Sequence, residues 1–424
     1  IGEVPDDWEV KPIKILASCN DDSLTESVSP DVRIRYVDIS SVSHDNGITN
    51  AELMLFESAP SRARRKAKVG DVVVSTVRTY LKAVASVDES HADCIFSTGF
   101  AVLRSRDRQL KPEFLKWLAL NELLIQAVES HSEGLSYPAI NASELVNLKT
   151  VAPNLNEQTL ISSTLNHQTT HIDTLIQKKT RFIELLKEKR QALITAAVTG
   201  KIDVTTGKPY PKYKDSGVEW IGEVPEGWDV RRMATIFREA IREGRQDLPI
   251  LSISIHHGIT DEELTPGQRE RQTYQIEDRT KYKRVKPNDL AYNMMRAWQG
   301  GFGAVKVEGL VSPAYVVAKP TACFHTSYIE LLLRTSMAIE EMRRYSRGIA
   351  DFRMRLYWDY FRDLKVCLPS ETEQEQILNY ISSESKRVDL LISKTGKSID
   401  LLKERRSALI TAAVTGKIDL RDSQ

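Results

Sequence analysis

The sequence predicts an α+β protein built as an internal repeat, with a variable unit and a long helix in each half. The first observation is IGEVPDDWEV at residues 1–10, which recurs as IGEVPEGWDV at residues 221–230. The second is LLKEKRQALITAAVTGKID at residues 185–203, which recurs with two differences at residues 401–419. The third is that residues 11–152 and 231–368, between these motifs, diverge almost completely. Near-identity of this length indicates duplication rather than chance.

The variable units retain one faint correspondence. Gly70-Asp71-Val72-Val73 is followed by Arg78, and Asn288-Asp289-Leu290-Ala291 is followed by Arg296. A turn residue before a short apolar run is typical of a turn that leads into a strand. We therefore expect matching strands in the two units, each followed by an arginine.

The constant segments read as long amphipathic helices. Residues 156–198 contain no proline or glycine, and their apolar residues fall on two positions of one heptad. Residues 377–412 repeat that stripe. About 43 residues would span roughly 65 Å. Two ordinary core helices in separate domains are one interpretation, but the length favours an extended coiled-coil spacer.

Start and stop signals agree with these helices. Pro153 and Pro369 precede them, and Gly200 and Gly416 follow the last periodic residues. Gly396 lies inside the second pattern, where it costs about 1 kcal/mol relative to alanine and is a candidate for a bend.

Composition narrows the function classes. The formal net charge is +1, so any affinity for nucleic acid must come from local basic patches. The four cysteines form no C-x-x-C pair, so we expect neither a zinc site nor disulfides, and a reducing cytoplasm fits. No apolar stretch suggests a transmembrane helix or a signal peptide. Because the chain begins at Ile1 without a methionine, we expect further residues upstream in the natural protein.

Taken together, the repeated motifs resemble the specificity (S) subunits of type I restriction-modification systems, the HsdS family. The resemblance rests on the Pro-x-x-x-Glu-Gln helix starts at 153–158 and 369–374 and on the Leu-Leu-Lys-Glu-x-Arg…Val-Thr-Gly-Lys-Ile endings at 185–202 and 401–418. The Ile-Gly-x-Val-Pro-x-x-Trp openings at 1–8 and 221–228 complete it, and residues 212–220 look like the usual lead-in to the second opening. The resemblance covers the whole chain.

The resemblance implies two mixed α/β target recognition domains separated by two long antiparallel helices that form a coiled-coil spacer with pseudo-two-fold symmetry. The corresponding boundaries are 1–152 and 221–368 for the recognition domains, 153–200 and 369–416 for the spacer helices, 201–220 for the linker and 417–424 for the tail. Each domain would read one half of a split site in double-stranded DNA. Two methyltransferase (M) subunits would dock on the chain, and restriction (R) subunits could join them.

Candidate DNA-binding residues are basic and aromatic side chains in the variable units. Lys and Arg neutralise phosphates, Arg and Gln also read base edges, and Tyr and Trp stack on a flipped base. In the first unit they are Arg62, Arg64, Arg65, Lys66, Lys68, Arg78, Tyr80 and Lys82. In the second they are Arg269, Arg271, Tyr274, Lys281, Lys283, Arg284, Arg296, Trp298 and Gln299. Solvated loops are the alternative for each. Residues 343–347 and 353–358 are either a further DNA face or the last helix and strand of the domain.

No motif in the sequence supports a catalytic or metal site. The acidic pair near Pro5 is too close for the usual nuclease metal site, and Ser312-Pro313-Ala314-Tyr315 lacks the second proline of an adenine-methyltransferase tetrapeptide. Gly300–Gly303 is not a dinucleotide-binding loop and is interpreted as a turn. We therefore expect a non-catalytic subunit, with S-adenosylmethionine, ATP and Mg²⁺ bound only by partner subunits. The rival hypotheses are a self-contained methyltransferase or nuclease and a coiled-coil scaffold without DNA specificity.

Overall fold

The computed structural model describes residues 3–25, 27–255, 258–265, 276–348 and 354–420. The chain forms two compact units: unit 1 comprises residues 1–181 and 395–424, and unit 2 comprises residues 182–394. This division passes through both long helices, whereas the boundaries expected from the repeat follow its motifs. Unit 1 is therefore assembled from two separate stretches of chain.

Unit 1 contains two four-stranded sheets. Its strands are β1 (Glu9–Pro12), β2 (Ala17–Cys19), β3 (Arg33–Val37), β4 (Val42–Ser43), β5 (Gly47–Ile48), β6 (Glu52–Leu55), β7 (Ala63–Lys66), β8 (Val72–Ser75), β9 (Val84–Ser86), β10 (Cys94–Ser97), β11 (Phe100–Ser105) and β12 (Lys149–Ala152). The order β6-β3-β10-β7 forms a mixed sheet in which β3 and β10 are parallel. The order β2-β11-β8-β9 is antiparallel, and β1 pairs with β12. The helices are α1 (Ile13–Leu16), α2 (Pro112–Ala119), α3 (Glu122–Ser130), α4 (Ala142–Leu145) and α5 (Leu155–Val198), the last of which continues into unit 2.

Unit 2 repeats the antiparallel part of this arrangement. Its strands are β13 (Tyr213–Asp215), β14 (Glu223–Pro225), β15 (Asp229–Arg232), β16 (Phe237–Glu239), β17 (Ile253–Ser254), β18 (Gly258–Ile259), β19 (Lys283–Val285), β20 (Leu290–Asn293), β21 (Phe302–Ala304), β22 (Gly309–Val311), β23 (Tyr315–Pro320) and β24 (Lys365–Leu368). Its helices are α6 (Met233–Ile236), α7 (Thr326–Leu333), α8 (Ser336–Tyr345), α9 (Trp358–Phe361) and α10 (Glu371–Val414), which continues into unit 1. The sheet order β16-β23-β20-β21 matches β2-β11-β8-β9, and β15 pairs with β24 as β1 pairs with β12.

The variable units therefore share the antiparallel part of their fold although their sequences diverge. Strands β8 and β20 occupy the same place in matching sheets, and each follows the turn that the sequence predicts. The α+β class and the internal repeat are confirmed. The core of each unit lies between its antiparallel sheet and the helices that follow it, with Phe114 and Trp117 of α2 buried in unit 1 and Tyr328 and Leu332 of α7 buried in unit 2. Among the described residues, no helix has both the length and the apolar character that a membrane crossing requires.

The two long helices are confirmed, and α5 and α10 each contain 44 residues. In unit 1, Asp173 of α5 forms an ion pair of 2.9 Å with Arg406 of α10. In unit 2, Arg190 of α5 forms one of 2.6 Å with Asp389 of α10. Buried Ile161 near the start of α5 joins the same cluster as residues 410–414 near the end of α10. Within each unit, the two helical segments are therefore antiparallel.

Each long helix ends in a Schellman motif. Gly200 has φ +72°, its N–H donates to the Ala197 carbonyl, and the Lys201 N–H donates to the Ala196 carbonyl. Gly416 has φ +71°, and residues 412–417 repeat both hydrogen bonds. Glycine tolerates this left-handed conformation without a steric penalty, so the predicted stop signals are confirmed.

The glycine at each helix end packs against an opening motif. A Cβ atom at Gly416 would lie 2.5 Å from Cδ of Pro5, and one at Gly200 would overlap the ring of Pro225. Trp228, next to Pro225, is buried in the core of unit 2, and Trp8 is buried in the core of unit 1. The end of α10 thus packs against the first Ile-Gly-x-Val-Pro-x-x-Trp motif, and the end of α5 packs against the second. Contact between the two motifs explains why both are preserved in the two halves.

The glutamine of each Pro-x-x-x-Glu-Gln motif is buried and joins a long helix to its domain. Nε2 of Gln158 and of Gln374 donates to the carbonyl of the proline five residues earlier, at 2.8 and 2.9 Å. Oε1 of Gln158 accepts from the Lys111 N–H, and Oε1 of Gln374 accepts from the His325 N–H, both at 2.8 Å. Lys111 and His325 directly precede α2 and α7. Each glutamine therefore satisfies a backbone donor at a helix start, where such donors have no partner within the helix.

Helix α10 continues through Gly396, and a Cβ atom built there meets no atom within 4 Å. We expect Gly396→Ala to raise the free energy of unfolding of unit 1 by about 1 kcal/mol, because alanine loses less backbone entropy in a helix. Gly416→Ala is the matched control and is expected to lower it, because the left-handed backbone and Pro5 both oppose a side chain. Urea denaturation measures both. A decrease for Gly396→Ala would show that the glycine has a structural role in the helix.

Candidate nucleic-acid interface

The basic run at residues 62–68 lies on and beside β7, the edge strand of the mixed sheet in unit 1. Part of this edge is covered, because the Leu24 N–H donates to the Arg64 carbonyl at 2.7 Å. Nε of Arg62 donates to the Tyr36 hydroxyl at 3.1 Å, and the Arg64 guanidinium carbon lies 5.0 Å from the centre of the Phe56 ring. These arginines therefore pack against their own domain.

The rest of this run differs in exposure. Arg65 is half-buried, and its Nε atom has no hydrogen-bond acceptor among the described residues. Lys66 lies 4.0 Å from Asp22, and Lys68 is exposed. A DNA-contacting role for these side chains stays a prediction.

Arg78 follows β8 and is exposed. Its φ of +52° and ψ of +49° place it in the left-handed region, which is unfavourable for a residue with a Cβ atom. Its guanidinium carbon lies 5.0 Å from the ring centre of Tyr137, which is itself 64% exposed. Strained backbone of this kind persists where surrounding contacts fix it, and it concentrates at functional sites.

Tyr80 and Lys82 belong to the turn that follows Arg78. Lys82 forms an ion pair of 2.7 Å with Glu122, and hydrogen bonding to this carboxylate raises the pKa of the lysine. Both Tyr80 and Lys82 line a groove of about 750 Å³ in unit 1, together with Asp173 of α5 and Arg406 of α10. This groove contains charges of both signs, so it has no marked preference for phosphate.

In unit 2, the basic residues near β19 are held by internal contacts. Nζ of Lys283 donates to the Tyr315 carbonyl at 2.7 Å, and Nε of Arg284 lies 2.6 Å from a Glu308 oxygen. Lys281 is 66% exposed. Three further predicted residues, Arg269, Arg271 and Tyr274, lie outside the described residues.

Arg296, Trp298 and Gln299 lie in and beside the 3-10 turn Ala297–Gln299, which follows β20. Nε1 of Trp298 donates to the Met295 carbonyl at 3.1 Å, and the Arg343 guanidinium carbon lies 5.7 Å from the Trp298 ring centre. Arg296 is half-buried and Gln299 is exposed. Gly300 ends the turn with φ +89°, whereas Gly303 lies in β21, so the turn expected for residues 300–303 is confirmed only at Gly300.

Arg78 and Arg296 occupy equivalent positions, as the sequence predicts. Each is the third residue after the matching strand and directly precedes a 3-10 turn. Their backbones differ, because Arg296 has φ −132°. The structure thus brings Arg78, Tyr80 and Lys82 together in one unit and Arg296, Trp298 and Gln299 together in the other.

A buried ion pair fixes the turn before each of these strands. In unit 1, Nη2 of Arg104 lies 2.6 Å from Asp71, whose side chain is only 3% exposed, and this contact raises the pKa of the arginine. In unit 2, Arg242 pairs with Asp289. Both carboxylates also accept a backbone N–H of their own turn, from Lys68 and from residue 286. The arginine comes from β11 in one unit and follows β16 in the other, so sequence comparison of the halves does not reveal the pair.

Sequence reasoning also missed Tyr137, which contacts Arg78. One sequence signal marks the segment just before Tyr137, since Ser132-x-Gly134 recurs as Ser346-x-Gly348. The motif is too short to stand out from chance without the structure. Of the segments 343–347 and 353–358 left open by the sequence, residues 343–345 end helix α8 and Trp358 begins helix α9, while residue 353 lies outside the described residues.

No family model matches the chain. A protein described as the MjaX specificity subunit of a type I restriction enzyme, from Methanocaldococcus jannaschii, is 25% identical over 238 residues, which cover 54% of this chain and 52% of that protein. The match thus spans about half the length of this relative.

Two solved structures match nearly the whole chain. One comes from work on complex assembly and conformational transition of the type I R-M system; its TM-score is 0.67 at 20% identity, and the match covers 99% of this chain and 100% of that chain. The other is the HsdS subunit of Thermoanaerobacter tengcongensis, with a TM-score of 0.53 at 21% identity and 98% coverage of both chains. The chain has the fold of a type I specificity subunit. The resemblance to type I specificity subunits that the repeated motifs indicate is therefore confirmed, and the two long helices belong to this specificity-subunit fold.

Proposed function

We propose that this chain is the DNA-specificity subunit of a type I restriction-modification enzyme. It binds an asymmetric, bipartite target in double-stranded DNA, with one half-site for each unit. It docks two methyltransferase subunits, and restriction subunits join through them. The chain itself is non-catalytic and acts in the cytoplasm, while S-adenosylmethionine, ATP and Mg²⁺ bind the partner subunits.

The observation that carries this proposal is the contrast between fold and sequence in the two units. Both present an arginine and a 3-10 turn after the same strand of the same sheet, yet the side chains around these arginines differ. One strand order with two different sets of side chains suits the reading of two different half-sites. Phosphate contacts from Lys and Arg would supply affinity, and contacts to base edges would supply specificity.

Docking of two like subunits is supported by the helix ends. Residues 185–203 and 401–419 are nearly identical, although several of their side chains do not contribute to the core. Leu185 is 46% exposed and Leu401 is 64% exposed, and both Lys201 and Lys417 are exposed. Repetition of an exposed surface is what two copies of one partner would require.

Selection from a random duplex library tests the proposal directly. The full chain, in complex with its methyltransferase partner, should enrich duplexes that share two short conserved blocks separated by a gap of fixed length. Enrichment of one block would limit reading to one unit, and no enrichment would favour a scaffold without specificity. Methylation of DNA by the chain alone would favour the enzymatic alternative.

Substitution of one arginine in each unit tests which half-site each unit reads. We expect Arg78→Ala and Arg296→Ala each to weaken binding of the selected duplex by about 1–3 kcal/mol, with relaxed specificity in one half-site only. Arg33→Ala is the matched control, because Arg33 is an exposed cation on β3 of unit 1. Fluorescence anisotropy with duplexes altered in either half measures the effect. An equal loss on every duplex would reassign the arginine to phosphate contact.

A further inference from the structure

A short hairpin follows helix α3 and lies beside the Arg78 turn. Glu133 and Ala139 exchange both backbone hydrogen bonds at 2.9 Å. The Ile140 N–H, one residue further, donates to the Thr76 carbonyl at 2.9 Å and so joins the hairpin to the end of β8. The hairpin is therefore fixed to the segment that carries Arg78.

Unit 2 has a corresponding hydrogen-bonded pair in the same place. After helix α8, Arg347 and Arg355 exchange backbone hydrogen bonds of 3.0 and 2.9 Å. The Leu356 N–H then donates to the Met294 carbonyl at 2.8 Å. Met294 and Thr76 each directly follow the equivalent strands, β20 and β8. The attachment of this segment to the sheet is thus part of the repeated fold.

The tip of the first hairpin presents apolar side chains to solvent. Gly134 has φ +112°, and a Cβ atom there would lie 3.2 Å from the Tyr137 carbonyl oxygen, so this turn requires glycine. Leu135 is fully exposed, and Tyr137 is 64% exposed with its ring against the Arg78 guanidinium. A fully exposed leucine buries nothing in this chain, so it adds nothing to the stability of the folded domain.

The two segments join the sheet in the same way but differ in length and sequence, since five residues separate the first hydrogen-bonded pair and seven separate the second. The first reads EGLSYPA over residues 133–139, whereas the second is bounded by Arg347 and Arg355. A partner that is identical in both halves would favour matching residues, as at the helix ends. Two different DNA half-sites would favour different residues. The arginines beside each hairpin also complement the charge of phosphate.

We propose that the tip at residues 134–138 enters a groove of the DNA half-site that unit 1 binds. Leu135 wedges against a base step and Tyr137 stacks on an exposed base or sugar face, while Arg78, which lies against the Tyr137 ring, contacts an adjacent base edge. Apolar wedges flanked by arginine are a recurrent means of binding and bending a DNA groove. The proposal rests on the proposed function, and it adds a specific contact element to it.

The test uses the full chain in complex with its methyltransferase partner and the duplex that the wild-type complex selects. The double variant Leu135→Ala/Tyr137→Ala should bind this duplex about tenfold more weakly. The loss should vanish on a duplex whose unit 1 half-site is scrambled. The slope of affinity against salt should stay unchanged, because no phosphate contact is removed. Leu53→Ala, at a leucine that is 63% exposed on β6, is the matched control.

Other outcomes would overturn this proposal in distinct ways. Unchanged affinity of the double variant, with the wild type still selecting a bipartite duplex, would overturn the hairpin proposal and leave the proposed function standing. Loss of methyltransferase binding with intact DNA affinity would make the hairpin a protein-docking element. If the wild-type complex selects no sequence, the proposed function itself fails.

Discussion

Gln374→Leu is expected to lower the free energy of unfolding of unit 2 by about 3 kcal/mol, and Gln158→Leu to do the same in unit 1. Leucine fills a similar volume but leaves the N–H of His325 or Lys111 and the proline carbonyls without partners. Each buried polar group left unsatisfied costs about 1–3 kcal/mol. Since both glutamines are at most 1% exposed, water does not replace the lost hydrogen bonds.

The measurement is denaturation monitored by probes placed in each unit, because a chain of two units need not unfold in one step. The matched control is Gln168→Leu, on the exposed face of α5, the helix that contains Gln158. It should change the free energy of unfolding by no more than about 0.5 kcal/mol. Equal effects of Gln158→Leu and Gln168→Leu would contradict a structural role for the buried amide.

Shortening both long helices should change the gap between the half-sites. Residues 175–181 of α5 and 398–404 of α10 continue the antiparallel register set by the Asp173–Arg406 ion pair. Deleting both seven-residue segments removes about two turns from each helix. The remaining faces of each helix keep nearly the same direction. If the helices act as a spacer, the connection shortens by about 10 Å, which corresponds to about three base pairs.

Selection from the random duplex library measures this change. Both conserved blocks should keep their sequences while the gap between them becomes shorter. Lys178→Ala with Glu404→Ala is the length-preserving control, and it should leave the gap as it is. An unchanged gap in the deletion variant would show that something other than helix length sets the spacing.

The long helices were predictable because their signals are local. A heptad stripe without proline or glycine, bounded by Pro153 and Gly200, determines a helix through contacts along one segment. The shared fold of the variable units was not predictable in this way. Buried sheet positions accept many apolar side chains as long as volume and patterning are kept, so two sequences can diverge while the sheet order is retained.

The candidate site was predictable only in part, for a related reason. Arg78 and Arg296 stood out because each follows the same local turn and strand. Arg284 was proposed from its charge, but Glu308, which pairs with it, lies 24 residues away in sequence. Partners that the fold brings together from distant positions leave no periodic trace, so sequence reasoning overestimates how many basic residues are available to a ligand.

The packing of the end of α10 against the motif at residues 1–8 has a consequence for the order in which the two units fold during translation. The core cluster of unit 2 lies wholly within residues 182–394, whereas that of unit 1 includes Ile410, Ala413 and Val414. The half of the molecule that the ribosome makes first is thus the half that is completed last. Until the end of α10 emerges, the apolar surface around Trp8 and Ile161 stays uncovered and depends on protection from aggregation.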